Sequence, residues 1–140
     1  MPFSFDQICH HLTPSPPLQG FEAFSFVARS LTLDEALDLR TCWSNGKTSL
    51  REYMTSPSYA SKRQKVQSYA ANFRPGPVNI ICLSASGLHA VWPEQYDEVV
   101  GGHDQSVLKD GNHRVCALAE LQQSARRCDN PLIGYLGTTG

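Results

Sequence analysis

The fold is decided by the stretch Val107-Leu108-Lys109-Asp110-Gly111-Asn112-His113-Arg114-Val115-Cys116-Ala117-Leu118. Its apolar first pair predicts a short strand, its glycine permits a sharp turn, and the apolar spacing behind the turn predicts a helix. A strand, a turn and a helix in this order present unpaired backbone N–H groups and the positive end of a helix dipole. The stretch is therefore a predicted anion site, and phosphate is the commonest biological anion that fits it.

The polar residues at the turn suit a phosphate ligand. Gly111 lets the backbone approach closely, and Asn112 and His113 offer donors in the first helical turn. The Arg114 guanidinium is permanently charged and can donate two parallel hydrogen bonds to a phosphate. Asp110 cannot attract an anion, but it can cap the helix, orient its neighbours or coordinate a cation that bridges to phosphate. The alternative is an ordinary turn with exposed polar residues, because Asp-Gly alone is common turn chemistry.

The composition predicts one compact, soluble domain. The chain has 140 residues, a hydrophobic share of 41% and a formal net charge of −1. That length can bury enough surface to fold without metals or disulfides, and the charge gives no general attraction to polyanions, so any polyanion binding must be local. Five cysteines without a C-x-x-C pair indicate reduced thiols, and no apolar run approaches a membrane span. We expect a cytoplasmic protein without a membrane partner.

Capping patterns at Thr32 and Ser49 predict two helices in the first half of the chain. The first is expected to end near Gly46, which suits a left-handed C-terminal position, and the second near Pro57. A longer helix is predicted over residues 58–73, where apolar side chains recur at helical spacing.

The basic residues Lys62, Arg63 and Lys65 lie on the first half of this longer helix. They can contact a phosphate, but a solvated helix face is the more common explanation of such a cluster.

The second half of the chain predicts a sheet. Residues 78–83 have the strongest strand composition and are expected to be central. Residues 88–92 predict a second strand that Pro93 stops, and residues 132–136 predict a last short strand. Together with the motif strand, these elements indicate an α+β fold: a small mixed sheet with flanking helices.

The turn from Asp110 to Arg114 resembles the Gly-x-His-Arg phosphate-binding turn of the ParB/sulfiredoxin superfamily. The resemblance extends over about residues 77–136 and leaves the first 56 residues without a counterpart. It implies a ParB/sulfiredoxin-like part over residues 77–140, preceded by an arm (1–20) and a mainly helical extension (21–76), all in one compact domain.

The resemblance implies a nucleotide, ATP, CTP or ADP, whose phosphates lie at the helix start, with Mg²⁺ as the companion ion. The implied cofactor-binding residues are Lys109, Gly111, Asn112, His113 and Arg114. Asp110, His113 and Arg114 are the candidate catalytic residues, and Asp110 is the candidate metal ligand. Sulfiredoxins carry a cysteine where Asn112 stands, so their thiol chemistry is not expected here.

The leading hypothesis is a nucleotide-binding protein that hydrolyses or transfers a phosphoryl group, as an ATPase, another NTPase or a small-molecule kinase. A nuclease or DNA-binding module is a second hypothesis, although the near-neutral charge and the absence of interleaved aromatic and basic residues count against it. A third is a non-catalytic interaction protein or inhibitor that uses the same fold. In that case the N-terminal half, around Trp43 and Tyr53, would contact a protein partner.

Overall fold

The computed structural model describes residues 13–14, 20–74, 76–96, 106–123 and 131–139. In chain order the elements are β1 (Thr13–Pro14), β2 (Ser25–Leu31), α1 (Leu33–Leu37), β3 (Arg40–Thr41), α2 (Leu50–Met54), α3 (Ala60–Ala71), β4 (Val78–Ser84), α4 (Ala85–Val91), β5 (Ser106–Asp110), α5 (Asn112–Gln123) and β6 (Leu132–Thr138). Single 3-10 turns at Cys42–Ser44 and Pro57–Tyr59 follow β3 and precede α3.

The strands form one six-stranded mixed sheet in the order β1-β2-β6-β4-β5-β3. Strand β4 runs parallel to β6 and antiparallel to β5, and β3 runs parallel to β5. The predicted central position of β4 is confirmed, because it lies between β6 and β5. The predicted α+β class, with a mixed sheet and flanking helices, is confirmed as well.

Alternation along the strands divides the core into two layers. Val78, Ile80 and Cys82 of β4 pack with Val66 of α3 and Val115 of α5 in the larger layer, to which α1 and α2 also contribute. The smaller layer, on the other face of the sheet, holds the buried residues Phe24, Phe26, Leu83, Leu88, Tyr96 and Val107. The helix of the predicted anion site is therefore held by the larger layer.

The first half of the chain shares this sheet. Strand β2 pairs with β6 along its whole length, from Ser25 opposite Thr138 to Leu31 opposite Leu132. The predicted mainly helical extension, residues 21–76, thus contributes β2 and β3 as well as three helices. Of the predicted arm, residues 1–20, only residues 13–14 and 20 belong to the described part of the chain.

Both predicted capping boxes are confirmed. The Thr32 side chain accepts a hydrogen bond from the backbone N–H of Glu35, whose carboxylate accepts one from the Thr32 backbone. Ser49 and Glu52 make the same reciprocal pair. Each pair satisfies N–H groups that a helix start leaves without partners, which explains why these short helices begin where they do.

The predicted end of the first helix near Gly46 is wrong. Helix α1 ends at Leu37, and Arg40 and Thr41 then pair with β5 instead. Gly46 does adopt a left-handed conformation, with φ of 78°, but it does so in the turn behind β3. The pairing of Arg40 and Thr41 with β5 thus ends the helix earlier than the apolar spacing had indicated.

The predicted strand over residues 88–92 is also wrong, because this segment belongs to helix α4. Ser84 caps that helix by accepting a hydrogen bond from the N–H of Gly87 at 3.0 Å. A short apolar run fits a buried helix as well as a buried strand, and the cap decides between them. No helix in the described ranges is long and apolar enough to cross a membrane.

Candidate functional site

Gly111 makes the turn between β5 and α5. Its φ is +100°, a value that side chains with a Cβ rarely adopt. A Cβ atom at this position would also lie 2.6 Å from Cγ2 of Ile80. The turn passes close against β4, so the position requires glycine on two independent grounds.

Helix α5 begins directly behind this turn. Its first intrahelical hydrogen bond runs from the N–H of Val115 to the carbonyl of Gly111, at 3.0 Å. The N–H groups of Asn112, His113 and Arg114 therefore have no acceptor within the helix. With the helix dipole, they form the anion-binding geometry that the sequence predicts.

The Asn112 side chain points into the protein, where it is 4% exposed. Its Oδ1 accepts a hydrogen bond from the Thr41 hydroxyl at 2.7 Å, and its Nδ2 donates to the Leu108 carbonyl at 3.1 Å and to Sγ of Cys42 at 3.4 Å. The predicted use of this amide as a phosphate donor is therefore corrected. It anchors the helix start to β3 and β5, and only the backbone N–H of Asn112 remains for a ligand.

The Arg114 guanidinium folds back over the turn. Its Nη2 lies 3.7 Å from Oδ2 of Asp110, and the same atom lies 3.4 Å from where a Gly111 Cβ would be. The side chain is one third exposed. It borders an open cavity of about 460 Å³ whose lining is Tyr69, Asn72, Phe73, Arg74, Gly76, Pro77, Val78 and Arg114.

The His113 imidazole lies between two aromatic rings. It meets Trp43 edge to face at 4.9 Å between centroids and stacks on Tyr69 at 5.8 Å. Burial lowers its pKa from the ordinary 6.5, the charges of Lys65 and Lys62 lower it further, and Asp110 opposes them. The ring is consequently neutral at neutral pH and offers one N–H donor and one acceptor.

The basic cluster of α3 is divided between two sides of the helix. Lys62 and Lys65 lie near enough to His113 to shift its pKa, and the Lys62 ammonium stands 5.2 Å from the Trp43 ring centroid. Arg63 lines a different cavity of about 300 Å³, together with Tyr59. Two of the three cations therefore flank the anion site.

Lys109 is not brought together with the other predicted site residues. Successive side chains of a strand face opposite sides of the sheet, and Leu108 occupies the side that carries α5. The Lys109 ammonium lies 4.8 Å from the Trp92 ring centroid and donates to the Tyr96 hydroxyl at 3.4 Å. The predicted contact of Lys109 with the nucleotide is corrected on this ground.

Asp110 is well exposed, and Arg114 is its ion-pair partner. Within the described ranges, no three His, Cys, Asp or Glu side chains group closely enough to hold a metal ion. Mg²⁺ is commonly held by one or two carboxylates together with substrate phosphates. Asp110 therefore fits Mg²⁺ only as one ligand of an ion that a bound nucleotide also holds.

The sequence did not predict four residues of this site: Ser68, Tyr69, Asn72 and Trp43. Lys65, Ser68, Tyr69 and Asn72 line a shared depression of about 340 Å³ along α3. Their spacing of three to four residues places them on one helix face, which was the available signal. Trp43 gave no such signal, because 70 residues separate it from His113.

The fold and the site define a class: a mixed α+β domain with a strand-turn-helix motif at Gly111 that has lysines near its helix start. Comparison with models of known protein families, with curated proteins and with solved structures finds no match to the chain. The function is accordingly argued from the geometry of the site.

Proposed function

We propose that this domain binds a nucleoside di- or triphosphate, ATP, CTP or ADP, with its phosphates at the start of α5. The observation that carries the proposal is the packing of α3 against α5, which brings Lys62 and Lys65 near the His113 side chain in the first turn of α5. The likeness of this turn to that of the ParB/sulfiredoxin superfamily supports the same ligand.

The local charge favours a polyanion although the whole chain is nearly neutral. Lys62 and Lys65 lie near His113, Arg74 and Arg114 line the adjoining cavity, and Asp110 pairs with Arg114. Hydrogen bonds from charged donors to phosphate are roughly twice as strong as those between neutral groups. A ligand with two or three phosphates can engage several of these donors together.

The cavity beside Arg114 suits the nucleoside. Its volume of about 460 Å³ is within the usual range for small-molecule sites. Phe73, Pro77 and Val78 give it apolar walls, and the Tyr69 ring, 39% exposed, offers a stacking surface. Asn72 supplies an amide that can both donate and accept, which is suited to the edge of a base or to a ribose hydroxyl.

The proposed reaction is hydrolysis or transfer of a phosphoryl group. A bound phosphate competes with Asp110 for Arg114, so the guanidinium can stabilise charge that develops in the transition state. The neutral His113 can orient the attacking hydroxyl or water, and the released Asp110 can accept its proton. If Mg²⁺ accompanies the nucleotide, Asp110 would be its protein ligand, and the ion would supply additional charge neutralisation.

Isothermal titration with ATP, CTP and ADP, with and without Mg²⁺, tests the binding. A matched pair of variants on one helix sharpens it: Lys65→Ala should weaken the best nucleotide by about 5- to 10-fold, which corresponds to about 1 to 1.4 kcal/mol for one hydrogen bond from an exposed side chain. Arg63→Ala makes the same charge change on the other side of α3 and should leave the affinity close to that of the wild type. Absence of binding at millimolar nucleotide, or equal losses in both variants, would contradict the proposal.

Phosphate release is measured separately from binding, because the two claims can fail independently. With the best nucleotide saturating, the wild type should release phosphate faster than Arg114→Ala at matched occupancy. Equal rates in both proteins would leave a binding protein without catalysis at this site.

Nucleic-acid binding is the second candidate, and the structure supplies an observation in its favour. The sequence lacks interleaved aromatic and basic residues, but folding sets Trp43 and Tyr69 beside Lys62 and Lys65. Aromatic rings beside cations are the usual platform for single strands. Affinity for a single-stranded oligonucleotide that falls steeply with salt would support this candidate, and a flat response would exclude it.

The third hypothesis, an interaction protein with a partner surface around Trp43 and Tyr53, needs a different test from the one that the sequence suggests. Trp43 contacts His113 directly, so a change there disturbs the proposed nucleotide site as well. Loss of function on changing Trp43 therefore does not separate an interaction surface from a nucleotide site, whereas Arg114→Ala does.

A further inference from the structure

We infer that Trp43 is a positioning residue of this site, which acts through His113 by fixing where its imidazole stands at the start of α5. The inference rests on the proposed function for its consequence in binding. Trp43 belongs to the N-terminal half, which has no counterpart in the resemblance to the ParB/sulfiredoxin superfamily.

Two aromatic rings contact the His113 imidazole from different directions. Trp43 meets it with the ring planes 67° apart, whereas Tyr69 lies nearly parallel to it at 20°. The two rings come from different elements, the 3-10 turn behind β3 and helix α3. An imidazole held by one edge contact and one stacking contact has little freedom to rotate about its side-chain bonds.

The position of Trp43 is itself tied to the start of α5. Its backbone N–H donates to Oγ1 of Thr41 at 3.1 Å, and the same hydroxyl donates to Oδ1 of Asn112 at 2.7 Å. The Tyr53 ring packs on the indole at 5.3 Å between centroids. One hydroxyl thus links the turn that carries Trp43 to the first residue of the helix that carries His113.

This confinement also lowers the pKa of His113. The groups that face the ring are Lys62 and Lys65 from α3, Asp110 from β5 and the phenol of Tyr69. Burial is the largest cause of the lowered pKa, and Trp43 supplies part of that burial. Removing the indole would admit water to the imidazole and raise its pKa towards the ordinary value.

Histidine NMR titration of the ligand-free protein tests the inference without any nucleotide. His113 is assigned by the signal lost in His113→Gln, and its pKa is compared in the wild type, Trp43→Leu and Trp43→Phe. We expect a raised pKa in Trp43→Leu and a value near that of the wild type in Trp43→Phe. Trp92→Leu, which removes the other tryptophan of the chain, should leave the His113 pKa unchanged, because Trp92 packs on Phe24 in the smaller layer. An unchanged His113 pKa in folded Trp43→Leu would overturn the inference.

A measurement on the wild type covers the case in which Trp43→Leu does not fold. Cross-relaxation between the indole and imidazole ring protons is expected from the edge contact, and its absence would overturn the inference as well.

Nucleotide titration of the same variants connects the contact to binding. Trp43→Leu should weaken the best nucleotide by about 2- to 10-fold, the range expected from one aromatic contact, with rescue by Trp43→Phe. Unchanged affinity in Trp43→Leu, with nucleotide binding intact in the wild type, would overturn the positioning role. If the wild type binds no nucleotide, the proposed function fails. The pKa measurement on His113 still tests whether Trp43 fixes the imidazole.

Discussion

Two lysines lie over tryptophan rings on opposite faces of the sheet, and the contrast between them shows what distinguishes the candidate site. Lys62 lies 5.2 Å from the Trp43 centroid and Lys109 lies 4.8 Å from that of Trp92. Both contacts place a lysine ammonium over an indole ring, but the surroundings of the two rings differ. Beside Trp43 lies the start of a 12-residue helix behind a left-handed glycine, whereas Trp92 stacks on Phe24 in the smaller core layer.

A cation on an aromatic ring therefore does not by itself indicate a ligand site. What distinguishes the Lys62 side is a helix start whose first N–H groups have no acceptor within the helix, a second lysine near His113, and a cavity bordered by Arg114. The Lys109 contact stabilises the packing of β5 against the segment that follows α4. Substitution of Lys62 should therefore affect ligand binding, whereas substitution of Lys109 should affect stability.

The largest effect is expected from Gly111→Ala. A left-handed backbone and a Cβ atom 2.6 Å from Ile80 should together cost about 2 to 5 kcal/mol of unfolding free energy. Urea denaturation measures the loss. Gly20→Ala is the matched control: its φ is +88°, nothing lies within 4 Å of its Cβ position, and it should lose only the backbone part. Equal losses at both positions would show that the turn does not pass tightly against β4.

Asn112→Ala should have the next largest effect on stability. It removes a buried amide, so that the Thr41 hydroxyl loses its acceptor and the Leu108 carbonyl loses one donor, at a cost of about 1 to 3 kcal/mol. Urea denaturation applies again, with the exposed Asn79→Ala as the control. A loss no larger than that of Asn79→Ala would contradict the anchoring role.

Lys62→Gln and Lys109→Gln test the comparison of the two faces directly. Lys62→Gln should weaken nucleotide binding by about 3- to 10-fold, more at low salt than at high salt, because one cation near the phosphates is lost. Lys109→Gln should leave the affinity near that of the wild type. Equal losses of affinity in both variants, seen by isothermal titration, would place the ligand elsewhere.

The smallest effect concerns pH. The pKa of His113 is lower in the folded chain than the ordinary 6.5. The unfolded chain therefore binds more protons between these two values, and His113 makes stability fall as pH decreases below about 6.5. His113→Gln should reduce this acid dependence in urea denaturation series run at several pH values. An unchanged slope would contradict the lowered pKa.

The parts of the fold that local chemistry determines were predictable. The capping boxes at Thr32 and Ser49, the strand β4 and the strand-turn-helix at Gly111 follow from residues close in sequence. The strand β3 and the helix α4 did not follow. Pairing with β5 ended the first helix early, and the Ser84 cap turned an apolar run into a helix.

The candidate site was predictable at its centre and not at its edges. Gly111, the N–H groups behind it and Arg114 lie together because they are neighbours in sequence. The inward direction of Asn112 depends on Thr41, and the surroundings of His113 depend on Trp43 and α3. Contacts across about 70 residues arise from the packing of the sheet and its helices, which no local pattern encodes.

The central claim is that phosphates bind at the start of α5, and amide chemical shifts test it most directly. Titration of isotope-labelled protein with ATP and with inorganic triphosphate should shift the backbone amides of Asn112, His113 and Arg114 with both ligands. ATP should additionally shift Tyr69 and Asn72. Shifts confined to the Lys109 and Trp92 side of the sheet, or no saturable shift at millimolar ligand, would contradict the account.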